Sequence, residues 1–248
     1  MTATPLPPHP HLDRYYDSET NRPRVVSDMF DAGAPYYEWI CNVMSFGTGE
    51  RYRRQALRDA GLEPGMRVLD VATGTGLVLR SASDIAGPSG CAIGLDPSEG
   101  MLRQCRKHCR ASLVQGRGED LPFPSASFDM VSMGYGLRHV ADLRALFAEY
   151  ERVLKPNGRL LLLEITQPQS AIGRWLNRLY MGSVVPGLTR IGTRAPGATL
   201  MMEYFWDTIE TCVPPHVILG ALREGGFADA TRRVTGGVLS EYVATKRR

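Results

Sequence analysis

Met66-Arg-Val-Leu-Asp-Val-Ala-Thr-Gly-Thr-Gly76 begins as a short apolar run and ends in a turn carrying two glycines. Val68, Leu69 and Val71 have the composition of a buried strand, and Thr73-Gly74-Thr75-Gly76 punctuates it. Glycine lets the backbone turn sharply and lets a ligand approach with no Cβ in the way. Asp96 follows Gly76 by twenty positions, at the tip of a second apolar run, Cys91-Ala-Ile-Gly-Leu95. That spacing sets a carboxylate where it can accept both hydroxyls of a ribose. A nucleoside-type cofactor is therefore expected beyond the ends of these two strands.

The turn itself argues against a dinucleotide. A pyrophosphate cradle needs a third glycine opening the helix, whereas Gly76 is followed by Leu77, Val78, Leu79 and Arg80. Asp70, at the strand end, would repel phosphates and suits a cationic ammonium group. A cofactor with ribose hydroxyls, a positive amino-acid end and no phosphate is S-adenosylmethionine. Its expected contacts are Asp70, Thr73, Gly74, Thr75, Gly76 and Asp96.

Composition sets the bounds. A chain of 248 residues, 43% hydrophobic and 22% charged, suits one soluble domain with a sizeable core. The net charge of +3 is small and dispersed, so no nucleic-acid partner is expected, and the basic ending Lys246-Arg-Arg248 reads as a solvated tail. Residues 1–12 carry four prolines and no apolar core, unlike a signal peptide. No run approaches the ~18 apolar residues of a spanning helix, and a cytoplasmic location is expected. The five cysteines are scattered and odd in number, as in a reduced compartment. Cys105, His108 and Cys109 share one predicted helix, but no second Cys/His cluster offers a further ligand, so no metal is expected.

Outward from the glycine turn, strand and helix patterns alternate, as in a mostly parallel sheet with helices on both faces. Strands are predicted at 66–72, 91–95, 112–115, 128–133 and 159–165, with Pro156-Asn157-Gly158 as the turn before the fifth. Ser98 is a plausible N-cap for the helix running to Cys109. A helix over 215–224 precedes two strands, 228–234 and 237–245, joined as an antiparallel pair. Three segments stand outside this alternation. Residues 1–23 read as a disordered, proline-rich start, 24–62 as an N-terminal helical cap, and 63–248 as the main domain. Within it, 167–213 is an aromatic-rich insertion expected to form a lid that excludes water. Tyr204 is the lid side chain singled out for contact with a substrate.

Leu69-Asp-Val-Ala-Thr-Gly-Thr-Gly76, Gly118-Glu-Asp-Leu-Pro-Phe-Pro124, Phe128-Asp, Gly136-Leu-Arg-His-Val140 and Arg152-Val-Leu-Lys-Pro-Asn-Gly-Arg159 resemble the C-methyltransferases of ubiquinone and menaquinone biosynthesis. Met44-Ser-Phe-Gly47 resembles that family's N-terminal helical motif. The resemblance runs from about residue 25 to 245. It implies the Rossmann-like class I methyltransferase fold, α/β, with a seven-stranded sheet whose last strand is antiparallel. It also implies cofactor contacts at Thr75, Asp96, Arg117, Gly118 and Gly134. The chain departs from the family pattern at Thr73, Leu77, Arg117, Gly134 and His139, where glycine, aspartate, asparagine, serine and asparagine are usual, and most of all in the lid. Methyl transfer to a small aromatic acceptor is expected, with a ring carbon of a phenol or quinol as the favoured target. O- or N-methylation of a small metabolite, and a non-catalytic adenosylmethionine-binding partner protein, stay open. So do membrane-surface contact, if the acceptor is a lipid quinone, and a homodimer.

For carbon methylation a hydroxyl must lose its proton so that the ring carbon becomes nucleophilic. Arg138 and His139 lie just beyond the fourth strand, where an acceptor is expected. Arginine is almost never deprotonated, so Arg138 is assigned to stabilise a developing phenolate, and His139 to act as base. Glu164 is a second candidate for that base.

Overall fold

The computed structural model describes residues 4–247. Seven strands form one sheet in the order β3-β2-β1-β4-β5-β7-β6. They are β1 (Arg67–Val71), β2 (Cys91–Asp96), β3 (Ser112–Gln115), β4 (Phe128–Gly134), β5 (Leu154–Ile165), β6 (Phe227–Thr235) and β7 (Leu239–Lys246). β1 to β5 pair in parallel, and β7 inserts antiparallel between β5 and β6. β5 starts earlier than expected, because Leu154 already pairs with Phe128. The Pro156-Asn157-Gly158 turn is an excursion inside it, where the register jumps to Met130 opposite Arg159. Lys246 is no solvated tail: it ends β7 and its ammonium donates to the carbonyls of Glu151 (2.7 Å) and Leu154 (3.0 Å).

Burial on both faces explains the unbroken apolar run Leu160-Leu-Leu-Leu163. Leu160 and Leu162 face α5 (Leu143–Val153) and α9 (Pro215–Glu224), whose Phe147, Tyr150, Ile218 and Leu222 fill that side. Leu161 and Leu163 face α2 (Gly49–Asp59) and α3 (Leu77–Ala86) through Leu57, Val78 and Ala82. α4 (Glu99–His108) follows β2, and the Ser98 hydroxyl accepts from Met101 N at 3.0 Å, capping it as the sequence suggests.

α1 (Arg22–Met44) sets Val26, Phe30 and Tyr37 around a cavity that Val71, Asp96 and Gly134 line from the carboxyl ends of β1, β2 and β4. Its Asp31 carboxylate accepts from Ser98 Oγ (2.5 Å) and Gly100 N (2.8 Å), setting a negative charge at the N-terminus of α4. The lid segment forms α6 (Ala171–Leu179), a π-helical turn (Tyr180–Val184), α7 (Val185–Thr193) and α8 (Pro196–Glu210). α8 packs directly on α1. A Cβ at Gly33 would lie 2.3 Å from the Met201 sulfur, and one at Gly197 2.8 Å from Ala32 Cβ, so small residues permit the approach. α6 is the opposite case, with no buried residue.

The proline-rich start is not disordered over its described part, which corrects the expectation from composition. Leu6 N donates to Asp142 (2.9 Å), Val213 N to the Pro8 carbonyl (2.8 Å), and Tyr16 and His9 are buried. Prolines remove backbone donors, yet Leu6 N and the Pro8 carbonyl find tertiary partners and the Tyr16 ring has a core to enter.

Candidate active site

Parallel sheets bind ligands beyond the carboxyl ends of their strands, where the strand order reverses. In this sheet that point lies between β1 and β4. Ala72, just after β1, and Tyr135, just after β4, both have left-handed backbones (φ 52° and 62°). Non-glycine residues hold that conformation only when their surroundings impose it. The two loops touch, since a Cβ at Gly136 would lie 2.6 Å from Ala72 Cβ.

A cavity of about 960 Å³, counted to its open mouth, lies over these loops. Gly74, Asp96, Arg117, Gly118, Gly134 and His139 line it. Asp96 is held from both sides, Oδ2 accepting from Gly74 N (2.8 Å) and Oδ1 from Ser98 N (2.9 Å). Each oxygen keeps a lone pair for a ligand hydroxyl. Burial pushes the Asp96 carboxyl up to about 6, against the pull of those two backbone bonds. Gly74, with φ 56°, has open space where a Cβ would project. Val71, Met101 and Met133 give the cavity apolar walls. A carboxylate for ribose hydroxyls beside a bare backbone turn and apolar walls fits adenosylmethionine.

Other expected contacts lie behind the wall. Asp70 is fully buried and accepts from the hydroxyls of Thr73 and Ser132, each at 2.7 Å. Burial pushes it up to about 6, and the Asp96 charge adds to this against the two hydroxyl bonds. Asp70 therefore braces the turn from beneath instead of reaching a ligand ammonium. Gly76 (φ 87°) sits at the N-cap of α3 over Cys105, and the buried Thr75 hydroxyl has no hydrogen-bond partner.

Three of the four residues assigned to the acceptor are placed differently from the expectation. Arg138 and Glu164 form a buried ion pair, Nε to Oε2 at 2.7 Å, with exposures of 0% and 4%. The Arg138 guanidinium also donates to Thr208 Oγ1 (2.9 Å) and to the carbonyls of Phe205 (3.2 Å) and Tyr135 (3.4 Å). It ties α8 to the loop after β4 and lines neither large cavity, so the phenolate role assigned to it is corrected to that of a clamp. Glu164 also accepts from Leu137 N (2.9 Å), which commits its carboxylate to structure. Tyr204 is fully buried, edge-on to Tyr15 and against His139, and lines neither cavity, so its contacts in this structure are with the core.

His139 does line the cofactor cavity, but both its ring nitrogens are buried without a partner. Burial, with Arg138, His9 and Arg22 nearby, holds its pKa well below the usual imidazole range. A neutral ring whose imidazolium is so disfavoured is a poor proton acceptor, which counts against the base role.

A second cavity, about 1630 Å³ counted to its mouth, lies under α6 and the π-helical turn. It is mostly apolar, with Met44, Phe46, Leu176 and Phe205 among its walls. Tyr37 and Tyr135 line both cavities and form the partition between them. Sequence reasoning missed these two tyrosines and Arg53, which lines the second cavity. A signal for Arg53 existed: with Ala56, Leu57 and Ala60 it follows the i, i+3, i+4, i+7 spacing of a buried helix face.

Comparison with known proteins agrees with this geometry. The ubiE/COQ5 methyltransferase family matches residues 17–246. The chain is 33% identical over 230 residues to the ubiquinone/menaquinone biosynthesis C-methyltransferase UbiE of Shewanella halifaxensis, covering 90% of each chain. It is 34% identical to the demethylmenaquinone methyltransferase of Symbiobacterium thermophilum, covering 93% of this chain and 96% of that one. A SAM-dependent methyltransferase from Aquifex aeolicus superposes with a TM-score of 0.61 at 17% identity, over 84% of this chain and 97% of that one.

Proposed function

We propose that this chain, which belongs to the ubiE/COQ5 methyltransferase family and is an S-adenosylmethionine-dependent methyltransferase, methylates a ring carbon of a phenol or quinol. The observation that carries the reading is the pair of adjoining cavities. One offers a carboxylate and a bare turn for a nucleoside, the other an apolar chamber, and Tyr37 and Tyr135 separate them. The names of the Shewanella and Symbiobacterium relatives support a quinone-type acceptor.

Adenosylmethionine, when bound, supplies a methyl group on a sulfonium that is already a good leaving group. The protein's task is then placement and exclusion of water. Asp96, oriented by Gly74 and Ser98, would hold the ribose, with Gly74, Arg117, Gly118 and Gly134 around it. Thr73 and Asp70 would keep the turn in shape from beneath. Alignment of an acceptor in such a chamber can supply up to ~7–11 kcal/mol of a barrier. Deprotonation of the acceptor hydroxyl would run to water or to a group other than His139.

The lid supports delivery from a membrane surface. Ile172, Trp175, Leu176 and Leu179 form an exposed apolar stripe on α6 at helical spacing. Residues 170–200 carry four arginines and no carboxylate, a composition that favours anionic lipid headgroups. Among the described residues no helix is long and apolar enough to cross a membrane. α6 lines the second cavity through Gly173, Leu176 and Asn177, so a lipid acceptor would pass beside it.

Labelled adenosylmethionine should be offered with quinols bearing or lacking a prenyl tail, with simple phenols and with amines. Label on a ring carbon of quinols, mapped by mass spectrometry and NMR, is the expected result. Label on nitrogen or a hydroxyl oxygen alone refutes the reading. Sedimentation with vesicles should show binding to anionic and not to zwitterionic bilayers, and equal binding to both would remove the membrane part.

A further inference from the structure

Arg53 is 6% exposed on α2, and its side chain lines the apolar cavity under the lid. Its buried Nε has no hydrogen-bond partner, and among the described residues no carboxylate pairs with its guanidinium. The Arg22 Nε is likewise unpartnered, but the other buried arginines have partners for the rest of the guanidinium. Arg138 is paired with Glu164, and Arg22 reaches Glu19, His9 and the Arg138 carbonyl. A guanidinium stays charged in proteins, and burying a charge with no partner is costly. The groups that feel its field are the Tyr135 phenol and the Cys41 thiol, both neutral, both also lining the cavity.

We infer that Arg53 is the counter-charge for an acceptor that occupies this cavity as its anion, and that the ionised group is the phenolate oxygen of an aromatic ring. The inference deepens the acceptor reading above and rests on it. The walls select among anions. A carboxylate or phosphate concentrates charge on two or three oxygens and calls for several convergent donors. Here a single cation faces an apolar chamber. A phenolate needs one strong partner at its oxygen and spreads the rest of its charge into a ring that the apolar walls can cover. That delocalised charge is also what makes the neighbouring ring carbon nucleophilic. On entering, the hydroxyl leaves its proton with solvent, and Arg53 stabilises what remains. The role first assigned to Arg138 from its place beyond β4 thus passes to a residue on the N-terminal cap.

A nitronaphthol whose visible absorption reports its ionisation tests this without methyl transfer. Wild-type protein should bind the naphtholate about tenfold or more tighter than the neutral form, drawing the bound probe's pKa down by about one unit or more. Arg53→Met should lose that preference, and Arg53→Lys, which keeps the charge, should retain most of it. Adenosylhomocysteine affinity should be unchanged in both variants, because Arg53 does not line the cofactor cavity. Without ligand, Arg53→Met should melt at or above wild type, since it removes a buried Nε that has no hydrogen-bond partner. Undiminished capture of the naphtholate by Arg53→Met, or a lowered melting temperature in its ligand-free form, overturns the assignment. A naphthoate held through Arg53 more tightly than the naphtholate overturns the phenolate part. If Arg53 captures the naphtholate but no phenol or quinol accepts label, the anion site stands and the acceptor reading above falls.

Discussion

Asp96→Asn separates what this carboxylate does for the fold from what it does for the cofactor. In the ligand-free protein two effects oppose each other. Burial raises the Asp96 pKa from 3.8 to about 6, so keeping it ionised at pH 7.5 costs the native state ~3 kcal/mol. The sign follows from proton binding. Between about pH 4 and 6 the folded protein holds this proton more readily than the unfolded chain. The associated stability is therefore full below about 4 and lost as pH rises through about 6. The amide removes that cost. It also puts an NH2 where an oxygen faced a backbone N–H, leaving Gly74 N or Ser98 N without its acceptor, for ~1–3 kcal/mol. The two nearly cancel, and the melting temperature at pH 7.5 should move little. Binding has no such compensation. One hydrogen bond to a charged acceptor is worth ~1.5–3 kcal/mol, so adenosylhomocysteine should bind about 10- to 150-fold more weakly. Calorimetry on the folded variant measures this directly. Wild-type affinity should fall as pH drops through about 6, where the carboxylate protonates, and the Asn variant should lose the Asp96 share of that dependence. Unchanged affinity in a folded Asn variant, or a wild-type affinity flat from pH 5 to 7.5, refutes the ribose assignment.

Arg138→Met leaves Glu164 buried without its cation, at a cost of ~3–5 kcal/mol; a denaturation midpoint equal to wild type would dismiss the clamp between α8 and the loop after β4. His139→Asn should cost well under the ~10²-fold expected of a general base, and wild-type turnover should show no titration in the usual imidazole range, because burial keeps His139 neutral. A loss of that full size would restore the base role. Gly76→Ala combines a left-handed backbone, ~1–2 kcal/mol, with a Cβ 2.6 Å from the Cys105 sulfur, ~1–3 kcal/mol more, and should lower stability by urea denaturation. Hydrogen exchange in α6, which buries no residue, should be faster than in α8 and slow when adenosylhomocysteine and a quinol are added; identical exchange with and without ligands would make the lid static.

What the sequence made legible was what depends on neighbouring residues. The alternation of apolar runs and turns sufficed for the strand ladder and its antiparallel end, because Leu160 to Leu163 must be buried whichever face each one meets. Gly74, Gly76 and Asp96 were legible because a tight turn and a carboxylate at fixed spacing constrain each other through two adjacent parallel strands. The proline-rich start failed for the converse reason. Composition argued for disorder, and contacts to Asp142 and Val213, more than a hundred residues away, decided otherwise.

The two arginines carry the same lesson into the site. Arg138 stands in a recognisable motif just past a central strand, which argues for chemistry, yet its side chain turns toward Glu164 on the adjacent strand and is spent there. Arg53 stands among Glu50, Arg51, Arg54 and Gln55 on an ordinary amphipathic helix, where a solvated face is the natural reading. Its place is decided by the fold, which sets it on the wall of the second cavity together with Tyr37, Tyr135 and Phe205 from three other parts of the chain. A buried charge becomes informative only once its partners are known. A paired one reports on the scaffold, and an unpaired one in a cavity reports on the ligand, since a stable fold has no other reason to tolerate it. By that criterion the helical cap is part of the acceptor site. Exchanging α2 between relatives should then change acceptor preference and leave cofactor affinity alone.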